Sequence, residues 1–130
     1  MNLHHVAIYG NNLHNMHFFY VHILGFKEVN RLYHESGEIR FVRLQVTETQ
    51  EIELFNFGEV KKKKDIYVNK GYMHIGFEVD DISIIKDKLV KHNVLIKQDI
   101  IIGKDGFNHL FVEDPEKNLI EFTEKDYKKL

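Results

Sequence analysis

Cysteine and tryptophan are absent from this chain of 130 residues, and proline occurs once. The lack of cysteine excludes disulfides, thiolate catalysis and cysteine-based zinc sites. No apolar run approaches the roughly 18 residues that a membrane-spanning helix requires, so we expect no membrane partner. Lys and Arg number 18 against 20 Asp and Glu, and this balance gives no electrostatic reason to expect nucleic-acid binding. Any chemistry must therefore use His, Asp, Glu, Lys, Tyr or Ser.

The length and composition are those of one compact globular domain. Hydrophobic residues make up 43% of the chain and charged residues 29%, which is typical of folded soluble proteins and not of disordered ones. The start of the chain, Met1-Asn2-Leu3-His4-His5, lacks the basic and then apolar layout of a signal peptide. We therefore expect a single domain over residues 1–130 and a cytoplasmic location.

The first half of the chain predicts a strand, a helix and three further strands. Residues 3–9 are mainly aliphatic and are followed by a Gly-Asn-Asn turn. Apolar residues then recur at helical spacing over 13–24, between Asn12, which can cap a helix, and Gly25, which can end one. Strand-like runs follow at residues 26–33, 39–46 and 51–57.

The same order of elements recurs after a lysine-rich segment. Residues 58–71 include four consecutive lysines and have no apolar period, which favours a solvated linker, with a clamp for an anionic substrate tail as the alternative. A strand is predicted over 72–79 and a helix after Asp80 and Asp81, with Ile82, Ile85 and Leu89 on one stripe. Three further strands are predicted at 94–102, 107–113 and 119–124. The halves are thus two βαβββ modules, about residues 1–57 and 72–130.

The two modules are also similar in amino-acid sequence. His5-Val6-Ala7-Ile8 resembles His74-Ile75-Gly76-Phe77, and Ile52-Glu53-Leu54 resembles Ile120-Glu121-Phe122. Glu53 follows His5 by 48 positions and Glu121 follows His74 by 47. Each module therefore opens with a histidine strand and closes with a glutamate strand, as expected of an internal duplication.

Strand alternation places each of these four polar residues on the face opposite to its aliphatic neighbours. Alone, a strand histidine is more often a hydrogen-bonded core or surface residue, and a strand glutamate is more often a solvated one. If the modules pair about a pseudo-twofold axis, however, two imidazoles and two carboxylates converge, and carboxylates brought together without a cation repel each other. A divalent metal resolves that conflict. The candidate ligands are His5, Glu53, His74 and Glu121.

Five stretches taken in order extend this pattern over nearly the whole chain: Leu3-His4-His5-Val6-Ala7-Ile8, Phe18-Phe19-Tyr20 leading to Ile23-Leu24-Gly25-Phe26, Glu51-Ile52-Glu53-Leu54-Phe55, Met73-His74-Ile75-Gly76-Phe77-Glu78-Val79-Asp80-Asp81-Ile82, and Phe111-Val112-Glu113-Asp114-Pro115 with Asn118-Leu119-Ile120-Glu121-Phe122. Their order and spacing resemble the glyoxalase I / vicinal oxygen chelate superfamily, which includes bleomycin resistance proteins and dioxygenases. The resemblance implies an α+β fold in which two paired βαβββ modules form an open, cleft-lining mixed sheet around a metal.

The resemblance carries the metal ligands over to the same four positions. His5 is preferred to His4 because it heads the repeat, and Glu53 is preferred to Glu51, which shares its face but lies two residues from the repeat position. Two histidines and two glutamates suit Ni²⁺, Zn²⁺, Co²⁺ or Mn²⁺. The family's fold further implies a homodimer, in which the site forms either within one chain or from modules of two chains.

The implied activity is that of a metal-dependent lyase or isomerase similar to lactoylglutathione lyase. Such an enzyme converts the hemithioacetal of an α-ketoaldehyde, such as methylglyoxal, and a thiol into a 2-hydroxyacyl thioester, through an enediolate that the metal stabilises. By analogy, Glu121 is the leading catalytic base and Glu53 the second candidate. The predicted partner is thus a small-molecule thiol adduct, and methylglyoxal detoxification is the implied role.

Several positions depart from the glutathione-dependent members of the family. Tyr9 stands where those enzymes carry an arginine for the carboxylate of the thiol, and Phe57 stands where they carry an asparagine. The sequence therefore does not predict glutathione as the thiol. In the usual Asp-Pro-Asp-Gly-Asn turn, Lys117 replaces the glycine, which changes or strains the turn.

Aromatic residues near the candidate ligands could line a substrate pocket, although packing is the alternative for each. The candidates are Tyr9, Phe55, Phe57 and Tyr72, with Phe107 or Phe111 as looser ones. His34 and His109 could assist proton transfer, but we expect both on the surface.

Other members of the superfamily give alternative functions. An epimerase or a ring-cleaving dioxygenase is disfavoured by the intact Glu53, since epimerase relatives carry an amide there and dioxygenases use two His and one Glu. A thiol transferase that confers antibiotic resistance uses a metal with three protein ligands. A non-catalytic drug-binding resistance module lacks the metal residues, so four intact ligands weigh against it. Fold alone does not decide among these chemistries.

Overall fold

The computed structural model describes residues 1–58 and 71–124. The chain divides into two compact units, Met1–Lys62 and Lys63–Leu130. The predicted linker over 58–71 lies, apart from its two terminal glycines, outside the described residues. Among the described helices, none is long and apolar enough to cross a membrane.

The first unit contains a four-stranded mixed sheet covered on one face by a helical segment. The strands lie in the order β1-β4-β3-β2, with β1 parallel to β4 and the other pairs antiparallel. The elements are β1 (His5–Tyr9), α1 (Leu13–His17), β2 (Lys27–Tyr33), β3 (Ile39–Gln45) and β4 (Glu51–Phe55). This arrangement confirms the predicted βαβββ order for the first module.

The second unit repeats that topology. Its strands lie in the order β5-β8-β7-β6, again with the first pair parallel and the others antiparallel. The elements are β5 (Ile75–Glu78), α2 (Ile82–Lys91), β6 (Ile96–Ile102), β7 (Asn108–Glu113) and β8 (Leu119–Glu124). Both units are thus open mixed sheets of the α+β class, as the sequence predicts.

Strand alternation separates a core face from a polar face in each sheet. In the first unit, Ile8, Val42 and Ile52 turn toward the helical side and are buried, at 8%, 0% and 2% exposure. In the second, Leu110 and Ile120 are fully buried in the same way. Burial of these apolar faces supplies the main stabilisation of each unit and leaves the opposite face for polar side chains.

The helical segment of the first unit differs in its second half from a regular α-helix. The α-helical turn α1 is followed by a π-helical stretch, Phe18–Ile23, in which the Leu24 N–H donates to the Phe19 carbonyl at 2.9 Å. The wider coil buries the adjacent Phe19 and Tyr20 together, at 2% and 0% exposure. The single α-helix predicted over 13–24 is therefore wrong in type beyond residue 17, although its extent is right.

The helix ends follow the predicted capping residues. The Asn12 side chain accepts a hydrogen bond from the Asn15 N–H at 3.0 Å, and Asp81 accepts from Ser83 and Ile84. The Glu124 carboxylate also accepts from the Ile82 N–H, at 2.5 Å. Glu124 therefore lies on the helix side of β8, as its alternation against Glu121 predicts.

Candidate metal centre

The first His–Glu pair lies on the polar face of the first sheet. His5 begins β1 and Glu53 lies at the middle of β4, where it pairs with Ala7. His5 Nε2 is 3.6 Å from Glu53 Oε2, and the glutamate side chain is 12% exposed. His5 Nδ1 lies 2.9 Å from Nδ1 of the exposed His4. His4 thus contacts the predicted ligand at Nδ1, the ring nitrogen that is not the one nearest Glu53.

An arginine that sequence reasoning missed stands directly opposite Glu53. Arg43 pairs with Glu53 in the register of β3 and β4. Its Nη2 lies 3.4 Å from Glu53 Oε1, and its Nε lies 3.3 Å from Glu51 Oε2. The guanidinium therefore compensates two neighbouring carboxylates on this face. The alternation of β3 places Arg43 on one face, but only the register between strands brings it to Glu53.

The second pair is built in the same way and is tighter. His74 directly precedes β5, and Glu121 in β8 pairs with Gly76. His74 Nε2 is 2.9 Å from Glu121 Oε2, with side-chain exposures of 24% and 17%. The Phe111 ring meets the imidazole edge-on at 5.5 Å. A Cβ at Gly76 would lie 3.4 Å from Glu121 Oε2, so the small residue leaves room beside this oxygen.

Glu121 has a further partner on its other oxygen. His109 Nδ1 lies 2.5 Å from Glu121 Oε1, and His109 Nε2 lies 2.8 Å from Asp105 Oδ1. The hydrogen bond with Asp105, followed by that with Glu121, raises the pKa of His109 above its usual value of 6.5. The same contact lowers the pKa of Asp105. His109 is only 14% exposed, so the expectation of a surface histidine is wrong.

The donor types of the two pairs fit a divalent ion. Two donor atoms that each lie about 2.1 Å from an ion, at right angles, are about 3.0 Å apart. The His74–Glu121 distance of 2.9 Å matches this value and the His5–Glu53 distance of 3.6 Å exceeds it, while nitrogen and carboxylate oxygen suit the transition metals named above. Within 1–58 and 71–124, no group of three or more His, Asp or Glu is arranged to hold a metal. Each unit thus presents two of the four predicted ligands.

Three of the four predicted substrate-contacting aromatics lie together in the first unit. The Phe55 ring stacks on Phe57 at 5.3 Å, and Tyr9 lies 5.8 Å from Phe57. The Tyr9 hydroxyl donates to the Gly58 carbonyl and accepts from the Phe57 N–H. Phe41, which sequence reasoning missed, joins this aromatic patch at 4.7 Å from Phe55.

The fourth predicted aromatic belongs to the second unit. This residue, Tyr72, is fully exposed. It precedes β5 by three residues, and the strand predicted from residue 72 begins at Ile75 because the ladder with β8 begins there. His34, the other proton-transfer candidate, points its Nε2 to the Asn56 carbonyl at 2.7 Å instead.

Comparison with known families shows to which superfamily this chain belongs. The family model of the Glyoxalase/Bleomycin resistance protein/Dioxygenase superfamily matches residues 2–122. The chain belongs to this superfamily. The matched stretch includes both His–Glu pairs and all eight strands except the last two residues of β8.

Individual relatives within the superfamily are distant in sequence. The uncharacterized protein YwkD of Bacillus subtilis is 26% identical over 126 residues, which cover 95% of this chain and 96% of the relative. A glyoxalase family protein from Enterococcus faecalis has a TM-score of 0.80 at 24% identity, with 94% and 96% of the two chains covered. The lactoylglutathione lyase of Agrobacterium tumefaciens has a TM-score of 0.70 at 19% identity, with 95% and 92% covered. These likenesses confirm the vicinal oxygen chelate fold.

Proposed function

We propose that this superfamily member is a metal-dependent lyase or isomerase of the glyoxalase type. Its substrate is the hemithioacetal formed by an α-ketoaldehyde and a small thiol, and its product is a 2-hydroxyacyl thioester. The observation that carries the proposal is the duplicated His–Glu pair, with one nitrogen and one carboxylate oxygen 2.9 to 3.6 Å apart on the same face of each sheet.

The proposal requires both pairs to serve one ion, supplied by one chain or by two copies of it. His5 and Glu53 come from the first unit, and His74 and Glu121 come from the second. When bound, the divalent cation supplies positive charge that stabilises negative charge on two adjacent substrate oxygens. The two carboxylates balance the charge of the ion, and the two imidazoles bind it without adding charge.

Glu121 acts as the base that removes the proton from the substrate carbon bearing both the hydroxyl and the sulfur, and Glu53 is the second candidate. A carboxylate is a suitable acceptor because it is ionised at neutral pH and only needs to reach the proton within hydrogen-bond distance. The 17% exposure of the Glu121 side chain limits competing contact with water. Return of this proton to the former carbonyl carbon, together with transfer of the hydroxyl proton to the former carbonyl oxygen, completes the isomerisation without loss of atoms.

The aromatic patch binds the apolar part of the thiol adduct through Tyr9, Phe55 and Phe57, with the buried Phe41 packed against Phe55. Phe57 is 57% exposed, so its ring is available for contact. Tyr9 occupies the position at which glutathione-dependent relatives have arginine, and its hydroxyl is already engaged by backbone groups of residues 57 and 58. A thiol that is smaller than glutathione, or that carries fewer carboxylate groups, therefore fits this chain better.

The test is turnover of methylglyoxal hemithioacetals, made with glutathione and with smaller thiols, by metal-loaded protein and its Glu121→Gln variant. We expect turnover by the wild type and a loss of at least about 100-fold in kcat for the variant, because an amide cannot accept the proton. Glu113→Gln is the matched control, since Glu113 lies on the same sheet and pairs with Lys97 instead. Full activity of Glu121→Gln would show that the base is assigned wrongly, and no turnover of any hemithioacetal by the wild type would overturn the proposed reaction.

A further inference from the structure

Each carboxylate oxygen of Glu121 has its own partner. Oε2 lies 2.9 Å from His74 Nε2, and Oε1 lies 2.5 Å from His109 Nδ1. The far nitrogen of His109 lies 2.8 and 3.0 Å from the two oxygens of Asp105. We call this line of contacts, in which His109 lies between the carboxylates of Asp105 and Glu121, the carboxylate row. It leaves Oε2 as the oxygen of Glu121 that faces the histidine of the pair.

The turn before β7 is shaped around the contact between Asp105 and His109. Asp105 Oδ1 accepts from the Phe107 N–H at 3.1 Å, and Gly106 closes the turn at φ 84° with its N–H on the Gly103 carbonyl. A Cβ at Gly103 would lie 2.6 Å from Asp105 Oδ1 and 2.7 Å from the His109 ring. Any side chain at this position would therefore displace the contact, so the glycine is required where aspartate meets histidine.

The carboxylate row exists in one unit only, although the two sheets share a topology. Phe111 opposes Glu121 as Arg43 opposes Glu53, so the position equivalent to His109 in the first unit is Phe41. That residue is apolar and cannot hold a carboxylate. The duplication therefore explains the pairs of ligands but not the row, which is a feature of the glutamate proposed as the base.

We propose that His109 and Asp105 are positioning residues that hold Glu121 by Oε1 and leave Oε2 to face both the divalent ion and the substrate proton. This inference rests on the proposed function, since it takes Glu121 as a ligand. A carboxylate held at one oxygen loses less rotational freedom when the other binds, and hydrogen-bonded partners behind metal ligands commonly change affinity by 10- to 100-fold. Asp105 acts through His109, because its oxygens fix the ring that in turn fixes Glu121.

The test is Co²⁺ binding to the full-length protein after removal of metal, followed by the visible absorption of bound Co²⁺ and by competition with a chelator. His109→Phe inserts the residue that the first unit carries, and we expect an affinity about 10- to 100-fold lower with altered absorption bands. His109→Asn retains a donor near the position of Nδ1, and we expect it to recover most of the affinity. Simple loss of packing would not give this rescue.

Two further variants separate positioning from damage to the fold. Gly103→Ala removes no polar group but displaces Asp105 and the His109 ring from their contact, so we expect it to weaken Co²⁺ binding in the same direction. Asp105→Asn tests the charge, with Asp99→Asn as the control, since Asp99 is exposed and pairs with Lys86 instead. Far-ultraviolet circular dichroism checks that each variant is folded.

The outcomes distinguish this inference from the proposed function. If the wild type binds Co²⁺ and folded His109→Phe and Gly103→Ala bind it equally well with unchanged spectra, the positioning role is wrong and the metal site stands. If the wild type binds no Co²⁺, the proposed function fails, and the positioning role fails with it. Weaker binding by both variants, with rescue by His109→Asn, supports the inference.

Discussion

Lys117 adopts the left-handed backbone conformation in the turn between β7 and β8, with φ at 65°. The turn is held by the buried Asp114, whose carboxylate accepts from the Glu116 and Asn118 N–H groups and from the Asn118 side chain. A side chain in the left-handed region costs about 1 kcal/mol, which glycine avoids. Of the two predicted consequences of losing the glycine, a strained turn or a different turn type, the positive φ of Lys117 fits the strained turn.

We expect Lys117→Gly to stabilise the protein by roughly 0.5 kcal/mol, because relief of the backbone strain outweighs the extra entropy of glycine in the unfolded chain. Thermal unfolding followed by circular dichroism measures this as a rise in Tm. Lys104→Gly is the matched control, since this exposed lysine has no positive φ and should lose a few tenths of a kcal/mol. A lower Tm for Lys117→Gly than for wild type would refute the strain argument.

Some residues of the site could be identified from the sequence, and others could not. His5, Glu53, His74 and Glu121 could be found because the repeat marks equivalent positions and alternation fixes their faces. Arg43 and Phe41 could not be found, and His109 could be named for proton transfer only as a residue expected on the surface, because the contacts of all three depend on which residues oppose each other across β3–β4 and β7–β8. A sequence shows the face of a strand residue but not its partner in the neighbouring strand.

At the scale of elements, an ion cluster joins the end of α1 to β2. Glu28 accepts hydrogen bonds from Arg31 at 2.6 and 2.9 Å and contacts His17 Nε2 at 2.6 Å. The hydrogen bond from Arg31 chiefly lowers the pKa of Glu28 from its usual 4.5. A carboxyl whose pKa is lower in the folded state stabilises the fold above the unfolded value and loses that contribution as the pH falls through the folded value.

We therefore expect Glu28→Gln to cost about 1 kcal/mol of unfolding free energy at pH 7, since the pair is bidentate and partly exposed. The difference from wild type should shrink below pH 4.5 as Glu28 becomes protonated. Urea unfolding between pH 3 and 7 measures it, with the exposed Glu48→Gln as control. A difference that does not change over this range would show that the carboxylate charge is not responsible.

The order and kind of the elements could be predicted from the sequence, whereas several of their boundaries and one helix type could not. The strand predicted from residue 3 begins at His5 because its ladder with β4 begins with the pair His5 and Glu51. The strand predicted to residue 57 ends at Phe55 for the same reason at the other end. Strand ends depend on the length of the partner strand, and the π-helical stretch depends on burial of Phe19 and Tyr20 side by side, so neither is visible in a local pattern.

At the scale of the whole molecule, the chain is built from two units with the same topology, and each holds one His–Glu pair on its polar face. Duplication explains why each unit carries one histidine and one glutamate of the four predicted ligands, at nearly equal spacing in the sequence. The partners behind the pairs differ, with Arg43 beside Glu53 and His109 beside Glu121. The two glutamates therefore have different surroundings, which supports different roles for them in the proposed reaction.

The central claim is that the two pairs bind one divalent transition metal, and elemental mass spectrometry of the purified protein tests it most directly. We expect about one metal ion per chain, lost in both His5→Ala and Glu121→Ala, because a site of four ligands fails when either unit's pair is incomplete. His14→Ala, at an exposed helical position, should retain the metal. Protein that contains no transition metal and takes up neither Ni²⁺ nor Zn²⁺, or a metal that survives both substitutions, would contradict the account.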